Sequence, residues 1–496
     1  SDAAGELLKG KNKKNVELVT SVARALDKIK NTPKAVKASI VIFLASFISQ
    51  GISFFTTPVF TRLMSIEEYG IIAQYNSWLS IITVFSTLSL SAGVFQVAMS
   101  EFEKDRDRFV FSTMVLSNVA TLCIYAVIFI FINKFTVIFE LPISLIVLMF
   151  LYNMFYPAML MWLARERYEY NYVKVAVISI GAALVSQIIS VVCVVLAKDT
   201  NLGIVKAWSS AIPLCIFSIA LYIAMAKKSK FRVSGEYIKY ALLFNLPLLI
   251  HYLAQYVLRS TDKIMITHYL GEGATGIYSL TTTIASISTL AWAAMNSSLT
   301  PTIYDNLKFK NYNVINKAVL AVTALFGLCC FCVALVGPEV VYILGSSKYS
   351  SGIYLIPPIA ASCLLQAVYS NYSSIAFYYH KRLSTCIMTI IAAVLNIGFN
   401  YLLIPKFGFL GAAYATEIAY FVYTFLHFMN YKRIVGKEAV YNNKSIWGIT
   451  IAISVLCLAT VFLYPFPIVR WGTILVFGAI AIIQRKKILK LVLKKK

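Results

Sequence analysis

Charge is scarce in this chain. Only 13% of its 496 residues are Asp, Glu, Lys or Arg, against 59% hydrophobic residues and a mean hydropathy of +0.76. A soluble protein of this size could not hide so much apolar surface, so most of it must face lipid or other apolar helices. Histidine is scarcer still, at four residues. No acid pair or nucleophile–histidine set stands out, so an enzyme lacks its usual signature. Cysteine is absent from every turn on the expected outer side: all nine cysteines lie within apolar spans, and no disulfide is expected. The run CCFC at 329–332 has no nearby His or acidic partner on its helix, so it reads as small apolar residues and no metal site is expected. A phosphate loop is missing too, because GEGATG at 271–276 lacks the Lys-Ser/Thr that would follow.

What is present is apolar runs. Cutting at the charged breaks leaves fourteen, near 39–62, 72–98, 109–133, 141–164, 173–197, 203–226, 240–262, 277–300, 318–337, 353–379, 384–404, 411–430, 446–464 and 470–484. Backbone in lipid must pair with itself, so these are helices. The expected fold class is an all-α polytopic membrane protein with about 14 transmembrane helices. The formal net charge of +24 would suggest nucleic acid in a soluble protein. Here the charges occupy short breaks between spans, which argues against a nucleic-acid partner. Alternating from a cytoplasmic N-terminus leaves Arg62, Lys134, Lys198, Lys206, Arg259, Lys263, Lys348, Lys406 and Arg470 in or near outer turns. The remaining 36 of the 45 basic residues fall inside, which places both termini in the cytoplasm.

Residues 1–38 space Val16, Val19, Val22, Ala23, Leu26 and Ile29 helically among lysines, so a cytoplasmic amphipathic segment is expected there. KKSKFRVSGEYIKY at 227–240 is the most basic short loop and divides two lobes, 39–226 and 241–430. Two further helices occupy 431–484, and 485–496 is a basic tail. LMSIEEYGII at 63–72 aligns with YLGEGATGIY at 269–278, which pairs Gly70 with Gly276 at an offset of 206. NLGIVKA at 201–207 aligns with KFGFLGA at 406–412. Two matches in the same order, at nearly one offset, indicate a parallel repeat.

FFTTPVFTRLMSIEEYGIIAQYNSW at 54–78 resembles the first-helix signature of Wzx-type, or O-antigen, polysaccharide flippases of the multidrug/oligosaccharidyl-lipid/polysaccharide exporter superfamily. DKIMITHYLGEGATGIYSL at 262–280 and LIPKFGFLGAAYAT at 403–416 are similar to glycine-turn patterns of the same superfamily. The resemblance covers about 40–430 and implies two six-helix lobes around a central cavity that opens alternately to each side. It further implies a bacterial inner-membrane protein whose cargo is an oligosaccharide repeat unit on undecaprenyl pyrophosphate. The implied partners are that lipid-linked oligosaccharide, membrane lipids and the polysaccharide polymerase machinery.

Such a cargo needs polar walls for sugar and cations for phosphate. On the seventh span His251, Gln255, Arg259 and Asp262 share one face at helical spacing. Charge is costly there and usually faces a cavity. Arg259 and Arg62, near the ends of the first helix of each lobe, are the phosphate candidates. An Arg259–Asp262 pair would blunt the first. Gln50, Ser53 and Thr57 share a face of span one, Asn371 lies in YSNYSS, and Asn396 and Asn400 are one turn apart. These are the sugar-contact candidates. Glu417 and Asp262 are the candidates for coupling; no cofactor is expected beyond a coupled H+ or Na+. The rivals are a cation-coupled multidrug antiporter of the same superfamily and a membrane glycan polymerase or acyltransferase. Span one has no carboxylate and every expected outer loop is short, which counts against each in turn.

The topology has a direct test. On intact cells a membrane-impermeant thiol reagent should label a cysteine placed at Ser347 and leave one at Ser234 unlabelled. Reversed labelling would overturn both the orientation and the repeat.

Overall fold

The computed structural model describes residues 34–91, 93–197 and 200–483. Most of the expected amphipathic segment 1–38, Lys198 and the basic tail 485–496 lie outside the described residues. Among the described residues all regular structure is helical. The helices are α1 (Lys34–Leu63), α2 (Ile66–Ser86), α3 (Gly93–Glu101), α4 (Arg106–Ile130) and α5 (Ile132–Phe139). Then come α6 (Ile143–Tyr168), α7 (Tyr172–Leu196), α8 (Leu202–Lys228), α9 (Gly235–Leu270) and α10 (Glu272–Lys308). The rest are α11 (Tyr312–Gly345), α12 (Ile356–Tyr378), α13 (Arg382–Val435), α14 (Asn443–Ala459) and α15 (Pro467–Ile483). Ten described helical segments are long and apolar enough to cross a membrane, so the chain is a multi-pass membrane protein.

The structure departs from the sequence reading in three places. The second span, expected as one helix over 72–98, is broken between α2 and α3, with Leu88 and Ser89 in left-handed backbone. A broken helix frees backbone groups that lipid cannot satisfy. Two side chains of α9 take them up: Asn245 Nδ2 donates to the Leu88 carbonyl at 2.6 Å, and Tyr252 Oη accepts from the Gly93 N–H at 3.0 Å. Spans eleven and twelve are joined in α13, whose 54 residues would run about 80 Å if straight. Instead Gly408, at φ 63° and ψ −151°, folds it back on itself. The fold-back is visible in Thr389–Tyr423 and Asn430–Ser384 hydrogen bonds of 2.8 and 3.0 Å. Finally, the basic loop is shorter than 227–240, since only 229–234 separate α8 from α9. Ser234 is buried there, its N–H donating to Ser112 Oγ. Exposed Lys230 is therefore the informative labelling position on this turn.

Burial separates two sets of helices. One core holds Phe326, Ala360, Tyr372 and Tyr431 from α11, α12 and α13. Two others draw on α2 to α8, around Phe95, Phe109 and Met161 and around Tyr125, Leu145 and Met149. Helix α9 belongs to both sets. Ala241 is in the first-half core and Ile266 in the second-half core, with Pro247 between them to permit a bend. At the far C-terminus Arg470 is buried. Its guanidinium grips Glu339 with two 2.7 Å bonds and donates to the Leu335 carbonyl, fastening α15 to α11.

The two sets meet where α2 begins and α10 begins. A Cβ on Gly70 would lie 1.9 Å from the Glu272 carbonyl oxygen, and one on Gly276 would lie 2.3 Å from that of Ile66. Both pairs are related by the same offset of 206, so the contact is reciprocal, as in a two-fold interface. Only glycine permits backbones this close. Tyr69 completes the seal against Tyr349, ring centroids 6.0 Å apart.

Gly276→Leu should therefore pry this contact apart and destabilise the protein by about 1–3 kcal/mol. A cysteine replacing fully buried Leu280 should become reactive to a thiol reagent only when Gly276→Leu is also present. Unchanged reactivity would show that the glycine pair does not hold the two sets together.

Candidate functional site

A polar cavity of about 500 Å³ lies within the second half of the chain, walled by α9, α10, α12 and α13. Its defining group is Asp262, a carboxylate only 5% exposed. Burying such a charge is severely unfavourable unless hydrogen bonds replace its water. Three neutral donors do so. Tyr278 Oη and Thr416 Oγ1 donate to Oδ2 at 2.9 and 2.6 Å, and Asn400 Nδ2 donates to Oδ1 at 2.6 Å. Asn400 Nδ2 also reaches Asn396 Oδ1 at 3.2 Å.

Arg259 makes no ion pair among the described residues; the pairing with Asp262 considered from sequence is not formed. Arg259 instead lines the cavity near Tyr369 and Tyr420, and Lys263 lines it as well. The cavity wall thus carries two cations and one carboxylate already engaged by neutral donors. Gln366, Ser362 and Trp292 add hydrogen-bonding and flat surface. Lys263 was missed as a cavity residue because it reads as part of an outer turn. Its place directly after Asp262 was the available signal.

The other sequence candidates fall elsewhere. Gln255 and His251 sit farther along α9, their Nε2 atoms 3.3 Å apart, and do not line the cavity. His251 Nδ1 and both ring nitrogens of His427 are buried without a hydrogen-bond partner among the described residues. His427 packs against Tyr369, tilted at a ring distance of 5.3 Å, and edge-on to Tyr423 at 4.7 Å. Arg62 is engaged at the end of α1, donating to the carbonyls of Pro58 at 3.1 Å and Ile343 at 2.9 Å. It thereby ties α1 to the C-terminal end of α11, where a cation is favourable. Thr61 also donates there, to the Leu344 carbonyl.

Among the sugar-contact candidates, Gln50 and Ser53 are exposed on α1, and Thr57 bonds back to the Ser53 carbonyl at 3.0 Å. Asn371 is buried beside Thr323, and Asn396 and Asn400 serve Asp262. Glu417 is half-buried on the side of α13 facing Cys457 of α14, away from the cavity. A smaller pocket, about 100 Å³, lies at the break in span two, lined by Thr83, Ser89, Asn153, Tyr156 and Tyr252. Sequence reasoning had no signal for it, since the break carries no proline.

Comparison with known proteins places this architecture. The protein-family description "Polysaccharide biosynthesis protein" matches residues 35–307. Protein 1 of the Lsg locus of Haemophilus influenzae is 24% identical over 406 residues, covering 78% of this chain and 98% of its own length. The Haloferax volcanii protein titled "Probable low-salt glycan biosynthesis flippase Agl15" is 26% identical over 175 residues, 34% of this chain and 36% of its own. Among solved structures, the lipid II flippase MurJ in an inward closed conformation superposes with a TM-score of 0.65 at 17% identity. That match covers 90% of this chain and all of MurJ. An inward-facing multidrug resistance MATE family transporter of the MOP superfamily gives 0.58 at 13%, over 82% of this chain and all of that one. With the match spanning more than half its length, and a fold shared with these exporters, the chain belongs to the polysaccharide biosynthesis protein family.

Proposed function

We propose that the protein is a flippase, not an enzyme, that carries lipid-linked oligosaccharide repeat units across the bacterial cytoplasmic membrane by alternating access. The cargo lipid is undecaprenyl pyrophosphate, and the product feeds a cell-surface polysaccharide such as O-antigen or capsule. The observation that carries this reading is the cationic cavity: Arg259 and Lys263 line a polar chamber inside an apolar chain, while the one adjacent carboxylate is taken up by Tyr278, Thr416 and Asn400. Arg259, with no ion pair among the described residues, suits a pyrophosphate, for which the arginine fork is well shaped. Membership of a polysaccharide biosynthesis family supports the glycan part of the cargo. A drug antiporter for cationic compounds would need the opposite sign of charge. In the cell both termini and the 229–234 turn face the cytoplasm, and polymerase machinery takes the flipped unit on the other side.

Arg259→Gln should slow flipping of a lipid-linked oligosaccharide by purified protein in vesicles about ten- to a hundredfold, the worth of a charge-assisted hydrogen bond. Arg259→Lys should keep part of the rate. Because Arg259 and Asp262 are not paired, adding Asp262→Asn should not restore transport. Full activity of Arg259→Gln, or rescue by the double variant, would remove Arg259 from the substrate site.

A coupled H+ or Na+ has its best candidate in Asp262. It is an intramembrane carboxylate ringed by oxygen-bearing side chains, and the Asn400 Oδ1 has no partner of its own among the described residues. Asp262→Asn should leave transport insensitive to an imposed proton or sodium gradient, whereas Glu417→Gln should respond as the parent does. The reverse pattern would assign coupling to Glu417.

A further inference from the structure

The turn between α8 and α9 borders a second, quite different concavity. It measures about 460 Å³ and lies between the start of α4, the end of α6 and the end of α8. Seven cations and four carboxylates line it. The carboxylates are all engaged. Arg165 holds Asp107 at 2.7 Å and Glu169 at 3.1 Å; Arg106 lies 4.0 Å from Glu103 and 3.9 Å from Glu169; Arg108 lies 3.8 Å from Asp105. Three arginines thus consume four acids. Lys104, Lys228, Lys230 and Arg232 remain, all exposed and with no carboxylate in ion-pair range among the described residues.

The turn itself is unusual. Lys230 and Phe231 both occupy left-handed backbone, at φ 55° and 56°, which non-glycine residues adopt only at a cost. The result pushes Phe231 out between two unpaired cations, with 66% of its surface exposed. Val233 beside it is 40% exposed. Aromatic residues flanked by cations are at home at the boundary between acyl chains and headgroups. A basic loop bias alone would scatter cations over the surface. It would not gather four spare ones at a concavity and set an exposed ring on its rim.

We propose that this concavity binds the phosphate headgroup of an anionic phospholipid in the adjoining leaflet. Lys104, Lys228, Lys230 and Arg232 surround the phosphate, and Phe231 enters the top of the acyl region. Basic pockets on the cytoplasmic side commonly take such headgroups. The site stands apart from the cavity around Asp262, and its occupancy does not depend on what the protein transports.

The test uses full-length protein in phosphatidylcholine nanodiscs, titrated with phosphatidylglycerol and read as lipid retained by native mass spectrometry. A cation at an anionic lipid surface is worth about fivefold in affinity, so Lys228→Gln, Lys230→Gln and Arg232→Gln together should weaken binding more than tenfold. An equal charge removal at the end of α13 (Lys432→Gln, Arg433→Gln, Lys437→Gln) should leave it nearly unchanged. Lys230→Arg should retain binding, and Phe231→Ser should weaken it. Equal losses in the two triple variants would mean a diffuse basic surface and overturn the proposal. So would inorganic phosphate that competes fully while Phe231→Ser has no effect, which would make the site one for a soluble anion.

Discussion

A carboxylate has to be kept charged or neutralised inside an apolar chain, and the second half of this protein is arranged around that problem. Asp262 receives hydrogen bonds from Tyr278 on α10, Asn400 on the first arm of α13 and Thr416 on its second arm. A hydrogen bond from a neutral donor to a buried charge of this kind is worth about 1.5–3 kcal/mol. The fold-back at Gly408 is what allows residues sixteen apart in sequence to reach the same carboxylate. Because neutral groups do this work, Arg259 is left free to face the cavity.

Helix α9 connects that site to the rest of the molecule. Its N-terminal part is packed into the first half, with Ala241 in the core there and with Asn245 and Tyr252 satisfying the broken ends of α2 and α3. Its C-terminal part carries Arg259, Asp262 and Lys263 into the second half. In the proposed transport cycle, any shift of one half against the other must pass through this helix, where Pro247 already lacks a backbone N–H. The reciprocal glycine contact of Gly70 and Gly276 is a second junction between the halves, beside the bonds of Thr61 and Arg62 from α1 to the end of α11. It is tight because two backbones touch with no side chain between them.

Much of this was legible in residues. Runs of apolar side chains identify membrane helices because lipid leaves the backbone no other partner. The pairing of Gly70 with Gly276 was visible as a repeat, and the two positions prove to touch. Arg259 and Asp262 were recognisable because charge in such a helix is too costly to be incidental. The break after Ser86 was not legible, since Leu88 and Ser89 are ordinary helix residues in left-handed backbone. What holds it open is Asn245 and Tyr252, more than 150 residues away.

The role of each polar side chain was decided only by the fold. Arg62 and Arg259 occupy similar places in sequence, yet one caps the end of α11 and the other lines a cavity, because their neighbours differ. Asn396 and Asn400 read as sugar ligands and turn out to serve Asp262. Lys263 read as a turn residue and turns out to line the cavity. The length and hydropathy of an apolar run are properties of each segment alone, so the sequence by itself determined that the chain is helical and set in a membrane. A hydrogen bond or an unpaired charge depends on which segments meet. For that reason only the tertiary structure could decide which cations are spent on the fold and which face the cavity.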